Sequence, residues 1–207
     1  MNHTMLLLGS QSQSRQMLLR EADIPFVTVP HHSSEQETIF NGNIANYVVE
    51  VAQHKMDSLR LPAAQDQSSI LVLTADSMVQ HPASGQILGK PTDVTDAKRM
   101  LTLARASEML IMTGCCLREY TWNNDQWAAT QEHSWATPTY IEFIVPEEEV
   151  DYFLNKVPAA MFSAGAGILE EFGANYLKTI RGSFSGGRGL PIFELRCALR
   201  EFSFAFE

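Results

Sequence analysis

Five short stretches of the chain carry residues able to handle phosphate. The first is Gly9-Ser10-Gln11-Ser12-Gln13-Ser14-Arg15. Three serines and a glycine precede a segment with helical pattern. A helix start offers unpaired backbone N–H groups and the positive end of the helix dipole. Serine hydroxyls add donors, and the planar fork of Arg15 suits phosphate oxygens. Plain N-capping by serine explains the same pattern, so this segment alone does not decide. It is not a Walker A loop, which needs Gly-Lys-Ser/Thr.

Asp76 directly follows the apolar run Ile70–Ala75. A carboxylate at the carboxyl end of a strand can hold a divalent cation or activate water. Lys90 stands between Gly89 and Pro91, a fixed backbone that can present an ammonium to phosphate. Lys55 lies on a helix of apolar period, where snorkelling is the usual explanation. Glu35 sits in a Ser/Glu-rich loop that solvation alone accounts for. Taken in order, Ser10, Ser12, Arg15, Glu35, Lys55, Asp76 and Lys90 supply cations for phosphate and carboxylates for a metal.

Elements must position these groups. Met5–Leu8 is a short apolar run ending at Gly9-Ser10, a buried first strand. Helices are expected over Arg15–Ala22, 43–60, Thr95–Ala104, Pro146–Leu154 and Pro191–Phe202. Strands are expected over Phe26–Val29, Ile70–Ala75 extending through Ser77–Gln80, Met109–Leu117, Trp127–Trp135 and Thr139–Ile144. His81–Gln86 reads as a hairpin turn, and Ser163–Gly189 as loop and short elements. Early alternation of strands and helices followed by clustered strands argues for an α/β domain with a mixed sheet.

Composition bounds the function. The chain has 207 residues, 45% hydrophobic and 19% charged, with net charge -9. That is an ordinary globular composition. An acidic surface repels a nucleic-acid backbone, so a polymeric nucleic acid is not an expected partner. Three cysteines, two of them adjacent, make a poor disulfide framework, and reduced thiols of a cytoplasmic protein are expected. The run Met5–Leu8 is too short for a membrane span and lacks the flanks of a signal peptide, so no membrane association is expected. His31-His32 reads as a solvated loop, not a metal site.

In this order the motifs resemble those of the Maf-like nucleoside triphosphate pyrophosphatases, from Leu6 to about Leu199. Leu7-Leu8-Gly9-Ser10-Gln11-Ser12-Gln13-Ser14-Arg15 is similar to the family's opening Leu-Ala-Ser-x-Ser-Pro-x-Arg. Phe26 and Glu35, the helix ending Ala52-Gln53-His54-Lys55, Thr74-Ala75-Asp76-Ser77-Met78-Val79, Ile87-Leu88-Gly89-Lys90-Pro91, Thr113-Gly114 and Gly189-Leu190-Pro191 follow at the family's places. The chain departs from the pattern at Gln13 (Pro), Ser34 (Asp), Gly167 (an aromatic) and Gly186 (often Asn).

The resemblance implies a single Maf-like domain over 1–207, with a twisted mixed sheet flanked by helices and two lobes around a cleft. It implies hydrolysis of a nucleoside triphosphate to the monophosphate and pyrophosphate with Mg²⁺ or Mn²⁺. Asp76 would activate water and touch the metal, Glu35 would help hold it, and Arg15, Lys55, Lys90, Ser10 and Ser12 would bind the triphosphate. Ser14, Ser77 and Glu170 fall at positions tied to specificity. Ala164-Gly165-Ala166-Gly167-Ile168-Leu169-Glu170 puts a carboxylate where the 7-methyl-GTP branch has one, so that branch is the expected one. A dTTP/UTP-type enzyme and a nucleotide-binding regulator with weakened catalysis are the alternatives. An α/β phosphatase or kinase using the same charged set would release different products. A homodimer is implied by the resemblance alone.

Overall fold

The computed structural model describes residues 3–30, 39–65 and 68–206. Seven strands form one mixed sheet in the order β2-β1-β3-β5-β6-β7, with β4 on β3. The strands are β1 Leu6–Leu8, β2 Phe26–Thr28, β3 Ser69–His81, β4 Gln86–Leu88, β5 Met109–Asn123, β6 Gln126–Phe143 and β7 Leu177–Gly182. The helices are α1 Gln13–Glu21, α2 Ile44–Asp57, α3 Val94–Ala106, α4 Val150–Lys156, α5 Phe184–Gly187 and α6 Ile192–Glu201. Among the described residues, no helix is long and apolar enough to cross a membrane.

The chain divides into two compact units. The first comprises Met1–Asp76, Thr113–Ala136 and Gly189–Glu207. Here β1 pairs in parallel with β2 and β3, with Leu8 opposite Leu73. Period-two alternation sends Leu71, Leu73 and Ala75 to one face, where they pack with Leu18, Leu19, Leu195 and Leu199. Val72 turns to the other face, against Ala52, Met56 and Cys116. Each fully buried leucine contributes about 2 kcal/mol of hydrophobic stabilisation. Helix α2 buries Val48, Val51, Ala52, Lys55 and Met56, a stripe at helical spacing.

The second unit comprises Ser77–Met112 and Thr137–Arg188. Its core joins Ala97, Met100, Leu101 and Ala104 of α3 to Phe143, Phe153 and Tyr176. Strands β6 and β7 pair antiparallel, with Thr139 opposite Gly182. Asp93 caps α3 by accepting from the Asp96 N–H, a cap the helix period alone does not reveal.

Three sequence expectations are corrected. Trp127–Trp135 and Thr139–Ile144 are one strand, β6, which continues through Pro138. The paired register with β7 begins only at Thr139, so the missing Pro138 N–H falls beyond that ladder. Within the segment expected to be loop and short elements, Leu177–Gly182 forms β7; its exposed Lys178, Thr179 and Arg181 leave little hydrophobic signal. Strand β5 runs on to Asn123 and joins β6 through Asn124-Asp125, both at positive φ, the two-residue turn that fits a twisted hairpin.

Candidate active site

The serine-rich turn that the sequence suggests for phosphate lies between β1 and α1. Gly9 lets the turn pack closely there, since a Cβ would come within 2.7 Å of the Thr74 side chain, which would have to shift. Ser12 is the N-cap of α1, its Oγ accepting from the Arg15 N–H at 3.4 Å. Ser10 is buried, and its Oγ accepts from the Ser12 N–H and from Arg15 Nη1, each at 3.2 Å. The serines therefore act first as acceptors that shape the turn, while each hydroxyl keeps its own hydrogen to donate. Arg15 Nε donates to the Gly189 carbonyl at 2.9 Å. The guanidinium is thus oriented before any ligand arrives. Ser12 thus caps the helix and Ser10 shapes the turn.

Asp76 and Lys55 meet in the same unit. Thr74 Oγ1 donates to the Ala52 carbonyl at 2.6 Å, pinning β3 to α2. Two residues on along the strand is Asp76, and three along the helix is Lys55; both spacings return to the same face. Lys55 Nζ donates to Asp76 Oδ1 at 2.7 Å, with the side chains only 5% and 11% exposed. Lys55 is buried and paired, not snorkelling. Gly114 permits this packing, since a Cβ there would run into the Val48 backbone.

The position of Asp76 also needs correction. Strand β3 runs to His81, in keeping with the extension expected through Ser77–Gln80, so Asp76 lies inside it and not at its carboxyl end. The register with β1 stops at Leu8–Leu73, however. Asp76 therefore lies beyond the carboxyl end of the β1–β3 parallel pairing, the end from which Ser10 also departs.

In the second unit, Lys90 is exposed, and the preceding Gly89 carbonyl accepts from the Gly165 N–H at 3.0 Å. That bond ties the Gly-Lys-Pro segment to the Ala164–Ala166 turn. Ser77 is the next residue of β3 after Asp76, and Ser14 lies in the first turn of α1; both are half-buried. Glu170 forms an ion pair with Arg188, Oε2 to Nε at 3.8 Å. Arg188 and the Gly189 carbonyl were not singled out from the sequence. A lone arginine in Gly186-Gly187-Arg188-Gly189 was the available signal.

Glu35, Ser34 and His31-His32 lie outside the described residues. Among the described residues, no group of three or more His, Cys, Asp or Glu side chains could hold a metal ion. The donor set nevertheless fits Mg²⁺ or Mn²⁺. Such a cation takes one or two carboxylates and completes its shell with waters and substrate phosphates. Oδ1 of Asp76 accepts from Lys55, and Oδ2 would be the oxygen to meet such a cation.

The structure thus shows a mixed α/β fold with a serine-capped turn after its first strand and a buried Lys–Asp pair beside it. The chain belongs to the Maf-like family: the family model described as Maf-like protein matches residues 5–202. It is 32% identical over 199 residues to a dTTP/UTP pyrophosphatase of Acholeplasma laidlawii (strain PG-8A), covering 96% of this chain and 97% of the relative. It is 27% identical to a dTTP/UTP pyrophosphatase of Chlamydia trachomatis serovar D, covering 96% and 94%. A nucleoside triphosphate pyrophosphatase of Chlamydia muridarum is also 27% identical, covering 97% and 95%. By name these relatives are nucleoside triphosphate hydrolases, and the expectation of an enzyme of that class stands with them. Two of the three carry the dTTP/UTP name, the alternative, and not the 7-methyl-GTP name.

Proposed function

We propose that the protein hydrolyses a nucleoside triphosphate to the monophosphate and pyrophosphate, with a pyrimidine triphosphate of the dTTP/UTP kind as substrate. The buried Lys55–Asp76 pair carries the reading of the chemistry. The names of the relatives support the pyrimidine, against the 7-methyl-GTP expectation drawn from Glu170.

Asp76 is the general base: its fixed carboxylate accepts a proton from the attacking water. Lys55 holds that carboxylate by a charge-assisted hydrogen bond, and its ammonium charge is assigned to neutralising phosphate. Arg15, Ser10 and Ser12 are assigned to triphosphate oxygens, and Lys90 is assigned to phosphate as well. Ser14, Ser77 and Glu170 are assigned to the choice of base. Asp76, with Glu35, would hold Mg²⁺ or Mn²⁺, which when bound neutralises phosphate charge. Phosphoryl chemistry asks mainly for such positioning and neutralisation. A cytoplasmic location accords with three free thiols. A homodimer is part of the same proposal and is read by light scattering.

The test compares wild type with Asp76→Asn for pyrophosphate release from dTTP, UTP, GTP and 7-methyl-GTP with Mg²⁺. The variant is expected to lose 10²–10⁴-fold, the usual contribution of a positioned general base. A variant of full rate would remove Asp76 from the mechanism.

A further inference from the structure

Lys55 reaches Asp76 from α2, so the rotation of α2 about its own axis sets the pair. The tip of a helical side chain lies about 5–6 Å from the axis, and a roll of about 10° moves it by about 1 Å. On its core side α2 lays Ala52 and Met56 against Val72 and Cys116. Such apolar contacts are non-directional and resist a small roll weakly. Two polar residues hold the other side. Gln53 and Asp57, four apart, share one side of the helix; Lys55, two from each, faces away from them.

Arg118 of β5 fastens that side. Its Nη1 donates to Asp57 Oδ1 at 2.6 Å, and its Nε donates to Oε2 of Glu132 on β6 at 2.6 Å. Gln53 Nε2 donates to the other oxygen of the same Glu132 carboxylate at 2.9 Å. Helix α2 is therefore tied at two points about one turn apart, at Asp57 by Arg118 and at Gln53 by its partner Glu132. Nη1 also donates to the Tyr120 hydroxyl at 2.9 Å. The Arg118 side chain is 14% exposed, against 33% for Glu132 and 60% for Asp57. Burial works against the Arg118 charge, but the hydrogen bonds to Asp57, Tyr120 and Glu132 outweigh it and hold the pKa above its ordinary 12.5. A single exposed ion pair would weigh little. A largely buried planar fork shared by two carboxylates is rigid, and rigidity is what orientation requires. All of these residues belong to the first unit, as do Lys55 and Asp76.

We propose that Arg118 is a positioning residue for the Lys55–Asp76 pair: by clamping Asp57, and Gln53 through Glu132, it fixes the rotation of α2 and so sets Lys55 Nζ on Asp76. Its effect on catalysis rests on the hydrolase reading of that pair; its effect on the pair itself does not. Thermal melts of the full chain read the second. Arg118→Met should lower the melting temperature less in a Lys55→Met background than in wild type, because no pair is left to misalign. Kinetics with UTP and Mg²⁺ read the first. In Arg118→Met and in Asp57→Ala, kcat per folded protein should fall at least tenfold, since a misplacement of about 1 Å costs up to about 10²-fold. KM should change less than threefold, because Arg15, Ser10 and Ser12 are untouched. Asp57→Asn, which keeps an acceptor for Arg118, should stay within threefold of the wild-type kcat. Equal melting-temperature drops in the two backgrounds, the mark of a merely structural arginine, overturn the proposal. So does a folded Arg118→Met of wild-type kcat. If Arg118→Met does not fold, equal kcat in Asp57→Ala and Asp57→Asn overturns it instead. A wild type that releases pyrophosphate from no nucleotide overturns the hydrolase reading, while the melts still decide the clamp.

Discussion

At the scale of the residue, the consequential fact is that Lys55 and Asp76 are buried as a pair. Removing one member of such a pair leaves an uncompensated charge and costs about 3 kcal/mol or more. Lys55→Met is therefore expected to lower the melting temperature by several degrees as well as activity. A thermal melt reads the first effect and pyrophosphate release the second; unchanged stability would mean that Asp76 does not depend on Lys55. The turn serines have a double duty. Ser10→Ala removes the acceptor of an Arg15 N–H, so Arg15 is expected to lose its orientation and KM for the nucleotide to rise. A KM equal to that of wild type would show that Gly189 alone orients Arg15.

At the scale of the element, close approach between β5 and α2 sets the frame of the first unit. Gly114→Ala places a methyl group against the Val48 backbone, and overpacking of this kind costs about 1–3 kcal/mol. Denaturant titration of the variant should show a lower midpoint. The N-terminal segment is held differently. Buried His3 contacts Glu119 of β5 at 2.7 Å, and Thr130 Oγ1 donates to the same carboxylate at 2.7 Å. Burial raises the Glu119 pKa, but these hydrogen bonds outweigh it and hold the group below its ordinary 4.5. A depressed folded-state pKa stabilises above the unfolded value and is lost as pH falls through the folded one. Glu119→Gln should therefore reduce stability at pH 7 and make the fall in stability below pH 4.5 shallower, as followed by thermal melts against pH.

Much of this was legible in the chain. Helix α2 has an apolar stripe of clean period, and the run 70–75 could only be a buried strand. Partnership was less legible. Lys55 on an apolar stripe looks the same whether it snorkels or is paired, because the partner comes from another element. Strand β7 carries polar side chains on an exposed strand, so hydrophobic alternation is nearly silent there. Arg188 in a glycine-rich stretch gave no period at all, and only the fold brings it to Glu170.

At the scale of the molecule, an acidic chain of net charge -9 must bind an anion through a few converging cations. Added salt should accordingly raise KM for the triphosphate more than it lowers kcat. The three thiols report on integrity. Burial pushes the Cys116 thiol up to about 11 and raises the Cys115 thiol further, whereas Cys197 is exposed. A thiol reagent should label one cysteine quickly in the native protein and the other two only after denaturation. Fast labelling of more than one would show that the core of the first unit is open.

The central claim concerns which bond is cut, and the mass of the products tests it most directly. Incubated with UTP and Mg²⁺, the protein is predicted to yield UMP and pyrophosphate, with neither product formed by Asp76→Asn at a comparable rate. Formation of UDP and orthophosphate would contradict the account.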